Sequence, residues 1–314
     1  MKADDAIRRL LPGEPGRQAF PDGADFRIEI PSVEGPRVLE AVIEAAAEEG
    51  IVVNRVSQGS GAMLLREDEL RELSSLGAAH GIEVSLFVGP RESYDITAHP
   101  RSTEGAGHGG QSRGLRGLRY AVEDIVRAVE CGIRGFLIPD LGLLALVTEM
   151  QRAGELPASV VWKISVMLAP SNPLALRELE RIGASTVNVP SDVSVETLAE
   201  MRAATSLPID LYIESPDGLG GVVRGDELGE LVGAGAPLYA KFGLRNARGI
   251  YPSGLHLERE ACLIAREKVH RAAAALEWCS RLSPGLVQSA PGAPGLGVPD
   301  ALGVPQAQTT GSTG

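Results

Sequence analysis

Residues 160–190 read VVWKISVMLAPSNPLALRELERIGASTVNVP. The stretch opens on a β-rich run, Val160–Leu168, and continues as an amphipathic helical pattern over Leu174–Ile182. Gly183 punctuates the end of that pattern, and a second β-rich run, Ser185–Pro190, follows. Strand, helix and strand in so short a space form a crossover unit, the connection that parallel strands require.

The same alternation extends in both directions. Further strand candidates are Phe26–Pro31, Ile51–Ser57, Glu83–Gly89, Gly135–Pro139, Ile209–Glu214 and Leu238–Gly243. Helical patterns lie between them at Arg37–Glu49, Glu67–His80, Leu118–Cys131, Leu143–Ala153, Val195–Ala204 and Glu227–Val232, and a long one closes the series at Leu255–Arg281. Eight strand–helix units predict a closed (β/α)₈ TIM barrel, one domain over residues 25–282 of the 314. A doubly wound open sheet would place a glycine-rich phosphate turn after its first strand. Here the first strand runs into Pro31-Ser-Val-Glu-Gly35, which is no such turn.

Three segments fall outside the alternation. Residues 1–24 read as a lead-in. Residues 283–314 are rich in Pro, Gly and Ala with Asp300 as their only charge, which predicts a disordered C-terminal tail. Pro100–Leu118, glycine-rich and arginine-containing, reads either as a disordered insertion or as a mobile substrate loop.

A formal net charge of −11 repels polyanions, so nucleic acid is not an expected partner. The three cysteines, Cys131, Cys262 and Cys279, form no CxxC or Cys/His cluster, so neither a zinc site nor an iron–sulfur cluster is expected. Unpaired cysteines, a charged N-terminus and the lack of long apolar runs point to the cytoplasm and to no membrane contact. The expected partner is a small-molecule substrate, and a homo-oligomer is left open.

Strand parity sorts the polar residues. Asp210, Tyr212 and Glu214 share one face of their strand; so do Lys163, Ser165 and Met167, Thr186 and Asn188, Tyr239 and Lys241, and Arg27 and Glu29. Inside a barrel these faces line the lumen, where polar groups are costly unless they are paired or serve a site. Lysine is the most informative. Only Lys2, Lys163, Lys241 and Lys268 occur among 30 basic residues, and two of the four stand inside strands. Either lysine can close the barrel as a buried pair with Glu29 or Glu214. Lys241, near the C-terminal end of its strand, is also placed for catalysis.

Glu214 ends its strand before Ser215-Pro-Asp-Gly218 and reads as a general acid/base or metal ligand. Asp140 ends another strand, as a helix cap or, with Glu214, as a ligand for Mg²⁺ or Mn²⁺. The cofactor is otherwise unknown. Gly-rich loops at Asp217–Gly225 and Gly243–Gly249, with Arg224, Arg245 and Arg248, suggest an anionic ligand. Gln58 and Arg91 add polar groups to the same rim. The substrate-binding set is therefore Arg245, Arg91, Asn188, Gln58, Glu29 and Ser165, around the catalytic candidates Lys241, Glu214 and Lys163.

Three stretches resemble the U32 collagenase-like peptidase family: Leu70–Val84, Ile138-Pro-Asp-Leu-Gly-Leu-Leu144, and Asn172–Ala184 running on to Val193–Met201. The resemblance implies a barrel, and a hydrolase acting on peptide bonds. The family's His-Gly-Ala-x-Cys segment is replaced here by Tyr212-Ile-Glu-Ser-Pro-Asp-Gly218, and the cluster cysteines are lacking. Three functions therefore enter the structural comparison. The first is a lyase or isomerase acting on a small carboxylate or phosphate ester; the others are a U32-like hydrolase and a non-catalytic binding barrel.

Overall fold

The computed structural model describes residues 5, 7, 9–11, 18–96 and 98–301. The apolar runs form eight parallel strands: β1 (Phe26–Pro31), β2 (Arg55–Ser57), β3 (Glu83–Phe87), β4 (Gly135–Ile138), β5 (Val161–Ile164), β6 (Thr186–Asn188), β7 (Ile209–Glu214) and β8 (Leu238–Phe242). Each pairs with the next, and β1 pairs with β8, closing the ring. The (β/α)₈ expectation is borne out.

Helices follow the strands: α1 (Pro36–Glu49), α2 (Glu67–His80), α3 (Gly114–Glu130), α4 (Leu141–Arg152), α5 (Pro173–Ile182), α6 (Val195–Ala204), α7 (Leu228–Gly235) and α8 (Glu258–Leu282). Local chemistry sets their ends. Asn172 accepts from the Ala175 N–H, and Pro173 starts α5 with its φ already fixed. Gly50 closes α1 at φ 68°, in the left-handed region that glycine adopts most readily. The outward strand residues, among them Ile28, Val56, Phe136, Trp162, Val187 and Leu211, are buried beneath the helices as the principal core. Among the described residues no helix is long and apolar enough to cross a membrane.

Two strand readings ran too far. β2 proper is only Arg55–Ser57; before it Asn54 adds a side-chain bond to β1, its Oδ1 accepting from the Ile28 N–H at 3.0 Å. β5 ends at Ile164, where Ser165 caps a tight turn over Val166–Leu168. Alternation stops there, and Val166 lines a cavity at the barrel mouth.

The expected tail disorder needs correction over 283–301; residues 302–314 lie outside the described residues. Val287 and Asp25 exchange hydrogen bonds, Ser289 N–H reaches Phe26 O at 3.1 Å, and Gly297 N–H reaches Glu83 Oε2 at 3.0 Å. Arg27 donates to Ser289 Oγ at 2.9 Å and to Pro294 O at 2.6 Å. The segment gains its order by satisfying polar groups at the bottom of the barrel, a gain that composition does not register. Deleting 287–301 strips partners from Arg27, Asn54 and Glu83. At about 1–3 kcal/mol for each buried group left unsatisfied, stability should fall by roughly 3 kcal/mol or more. Urea denaturation checks this, and an unchanged midpoint would contradict it.

The long connection after β3 is packed as well. Ser112 N–H donates to Asp140 Oδ2 at 3.0 Å and the Gln111 side chain to Pro139 O at 3.2 Å. From Gly114 onward the chain is already helical.

Candidate active site at the barrel mouth

The middle of the lumen holds three acids and three bases, all essentially buried, Glu29, Glu83 and Asp210 against Arg55, Lys163 and Lys241, while the equally buried Arg27 lies nearer the bottom. Their neighbours follow from strand register, which places Glu29 beside both Arg55 and Lys241, and Arg55 beside Glu83. Lys163 Nζ donates to both Glu29 oxygens. Arg55 lies 3.2 Å from Glu29, 2.8 Å from Glu83 and 2.5 Å from Asp210, with its guanidinium 3.4 Å above the Tyr239 ring. Thr186 and Ser57 complete the shell, each donating at 2.7 Å, to Asp210 and Glu29 respectively.

Electrostatics follow from this pairing. Burial alone would raise the Glu29 carboxyl, but Lys163, Lys241 and Arg55 outweigh it and hold the group well below the usual range. Burial pulls Lys163 down to about 7, against Glu29, with Lys241 pushing the same way as burial. The Tyr212 phenol is pushed up by burial and by Glu29 and Asp210, so it stays protonated.

Above this cluster, at the C-terminal ends of the strands, sits a cavity of about 40 Å³. Lys241, Asn188, Tyr212, Ser57, Ser165 and Gln58 line it, and Tyr251 and Gly59 border it. Lys241 Nζ accordingly has one face on the network and one on the cavity. It donates to Asn188 Oδ1 at 2.5 Å, lies 3.7 Å from Glu29, and sits 4.1 Å above the Tyr212 ring. Asn188 is fixed in turn by its bond to Ile164 O.

The Tyr251 ring rests on Gly59, where any Cβ would fall 2.5 Å from it. Gly59→Ala should therefore displace the ring and open the mouth. Reductive methylation of Lys241, read by peptide mass mapping, should then run several-fold faster than in the wild type, and an unchanged rate would contradict this.

Of the predicted residues, Lys241, Lys163, Glu29, Asn188, Ser165 and Gln58 converge on the lumen. Gln58 is occupied with Gly61, bonding its N–H and its carbonyl. Glu214 does not join Lys241. The β7–β8 register shifts between Tyr212 and Glu214, and the Glu214 carboxylate instead accepts the Arg245 N–H at 2.9 Å. Arg245 itself is exposed, 3.8 Å from Asp217. Arg91 is stacked between Phe87 and Tyr94 and donates to Gly59 O and Ser60 O, bracing the β2 loop without reaching the cavity. Arg224 is likewise committed, to Glu227 and to backbone carbonyls.

Asp140 caps α4 by accepting from Leu143 N–H at 2.7 Å. Among the described residues no three His, Cys, Asp or Glu side chains converge as a metal site. An ion on Glu214 and Asp140 would have to displace the backbone bonds that each makes. Arg55 and Glu83 escaped the sequence reading, although an arginine at the parity of Ser57 inside an apolar strand was a visible signal. Tyr251, in a loop without periodicity, offered none.

No family model and no curated protein matches the chain. Solved structures do share its architecture. Thiamine phosphate pyrophosphorylase from Pyrococcus furiosus is 12% identical over 81% of this chain and 96% of its own, with a TM-score of 0.44. The U32 peptidase Mk0906 is 16% identical over 63% and 73%, with a TM-score of 0.40. 3-Hexulose-6-phosphate synthase is 14% identical over 80% and 98%, with a TM-score of 0.41. At these values the likeness is one of fold.

Proposed function

We propose that the chain is a barrel enzyme of lyase or isomerase type acting on a small anionic metabolite, a carboxylate or phosphate ester, through the amine of Lys241. One observation carries the reading: Lys241 alone of the lumen cations faces the mouth cavity while remaining in contact with the buried charge network. A lysine needed only for charge balance could lie wholly within the network, as Lys163 does.

The chemistry follows from the neighbours. A substrate carbonyl above Lys241 would meet an amine able to form a Schiff base or, when charged, to stabilise an enolate. Glu29 orients that amine from below and Asn188 from the side. The protonated Tyr212 hydroxyl supplies a donor for a developing oxyanion. Lys163, titrating near 7 and bonded to Glu29, is a proton acceptor linked to Lys241 through that carboxylate. With Arg91 braced and Arg245 outside at the rim, Lys241 is the cation that the substrate's charge meets within the cavity. A space of about 40 Å³ holds little more than a water or two, so Tyr251 must move for a substrate to enter.

A hydrolase of the U32 kind would need a nucleophile beside a general base. The cavity hydroxyls Ser57 and Ser165 have no histidine among the lining residues, so the lysine reading is preferred. A thermal-shift screen of 2-oxo acids and sugar phosphates tests it. A saturable rise in Tm for at least one compound, lost in Lys241→Met, is expected. Shifts that survive the substitution would overturn it.

A further inference from the structure

Three loops border the mouth cavity, through Ser32 after β1, Gly59 after β2 and Tyr251 after β8. Their contacts divide into a rigid frame and a light closure. The frame is the β2 loop. Glu34, buried in the β1 loop, accepts from the Gly59 N–H at 2.9 Å and from the Ser60 N–H at 3.0 Å. Arg91, from the β3 loop, holds the same two residues by their carbonyls, at 2.8 and 3.0 Å. Gly59, the seat of the Tyr251 ring, is thus clamped from both sides by charge-assisted bonds. A buried carboxylate is costly unless its oxygens are satisfied, and both oxygens of Glu34 are spent on this seat.

The closure is of another kind. Tyr251 is 53% exposed, so much of its outer face lies in water. Its hydroxyl and that of Ser32 are 2.5 Å apart, and a hydrogen bond in so exposed a place is readily exchanged for one to water. Ser32 itself stands at φ 64°, a region disfavoured for residues other than glycine and recurrent at functional sites. The backbone beside the ring is held by contrast: Ile250 is buried, and the Ser253 N–H donates to Ser60 Oγ at 2.7 Å.

From this division we infer that Tyr251 is a side-chain gate over Lys241. The ring swings out from Gly59 while its loop backbone stays in place, and the Ser32 hydroxyl latches it shut. Glu34 is a positioning residue that acts on the ring through Gly59. The inference rests on the reading of Lys241 as the reacting amine: the closed gate keeps water from that amine, and the open one admits substrate.

Reductive methylation of the full chain with formaldehyde and cyanoborohydride, mapped by mass spectrometry, tests the gate without a substrate. Tyr251→Phe, which removes the latching hydroxyl alone, and Ser32→Ala should each label Lys241 several-fold faster than wild type at an unchanged Tm. Glu34→Gln, which turns one acceptor into a donor facing an N–H, should also speed the labelling. That effect should vanish in a Tyr251→Ala background, where there is no ring to position. Lys163, sealed beneath Glu29, reports general loosening and should stay unlabelled throughout. Wild-type rates in Tyr251→Phe and Ser32→Ala, a Glu34→Gln effect that persists in full without the ring, or labelling of Lys163 in step with Lys241 would each overturn the gate. Gated labelling together with thermal shifts that survive Lys241→Met would support the gate and count against the catalytic lysine, which keeps the two failures apart.

Discussion

Glu29→Ala should cost about 3–5 kcal/mol, the range for removing one partner from a buried ionic network. The carboxylate is the common neighbour of Lys163, Lys241 and Arg55, and all four groups are essentially dehydrated. Without it three cations face only Glu83 and Asp210. Chemical denaturation measures the loss, and a cost below about 1 kcal/mol, the level of an exposed pair, would contradict the account.

The same network sets the pH dependence of stability. The folded-state value of Glu29 lies below its ordinary value of 4.5, so its contribution is complete above that pH and fades as acid is added. Lys163 works in the opposite part of the scale. Its proton is held less tightly in the folded chain, at about 7, than at the ordinary 10.5. Between these values the unfolded chain carries the extra proton, so stability gained through Lys163 rises with pH from about 7 to 10.5. The difference in stability between wild type and Lys163→Met should show that rise. A flat difference across the window would contradict the assignment.

Lys241→Met should lower turnover of the compound found by thermal shift at least about a thousandfold, as expected when the reacting group itself is removed. Its cost in stability should be smaller than that of Glu29→Ala. Glu29 keeps Lys163 and Arg55 when Lys241 is lost, and the methionine side chain still covers the Tyr212 ring. The ratio of these two effects separates the roles. Glu29 is a positioning residue whose loss is felt mainly in folding, Lys241 a catalytic one whose loss is felt mainly in rate. Equal loss of folding in both variants, or turnover within tenfold of wild type for Lys241→Met, would contradict the division.

The barrel was legible because its signal is repeated eight times: each strand pairs with its sequence neighbour, so local patterns sufficed. The lumen was legible for the same reason. Parity alone put Glu29, Lys163, Asn188, Asp210, Tyr212 and Lys241 on inward faces, and register then joined them. What parity cannot see is where a strand breaks its own alternation. Glu214 was counted with Tyr212, but one irregularity between them moved its carboxylate to the Arg245 backbone. The tail failed for a different reason. Its composition lacks apolar surface, yet its backbone groups meet the Arg27 and Glu83 side chains, more than 200 residues away in the chain. Long-range polar satisfaction of that kind leaves no local mark. Arg91 and Arg224 were over-read, since a guanidinium braced on carbonyls looks the same in sequence as one waiting for an anion.

Reductive trapping addresses the central claim most directly. The protein, incubated with the carbonyl compound that raises its Tm, is treated with borohydride, digested and mapped by mass spectrometry. The account predicts a secondary amine adduct on Lys241, with Lys163 unlabelled because it is sealed beneath Glu29. Lys241 unlabelled while the compound still binds would leave the mouth cavity without the covalent chemistry assigned to it.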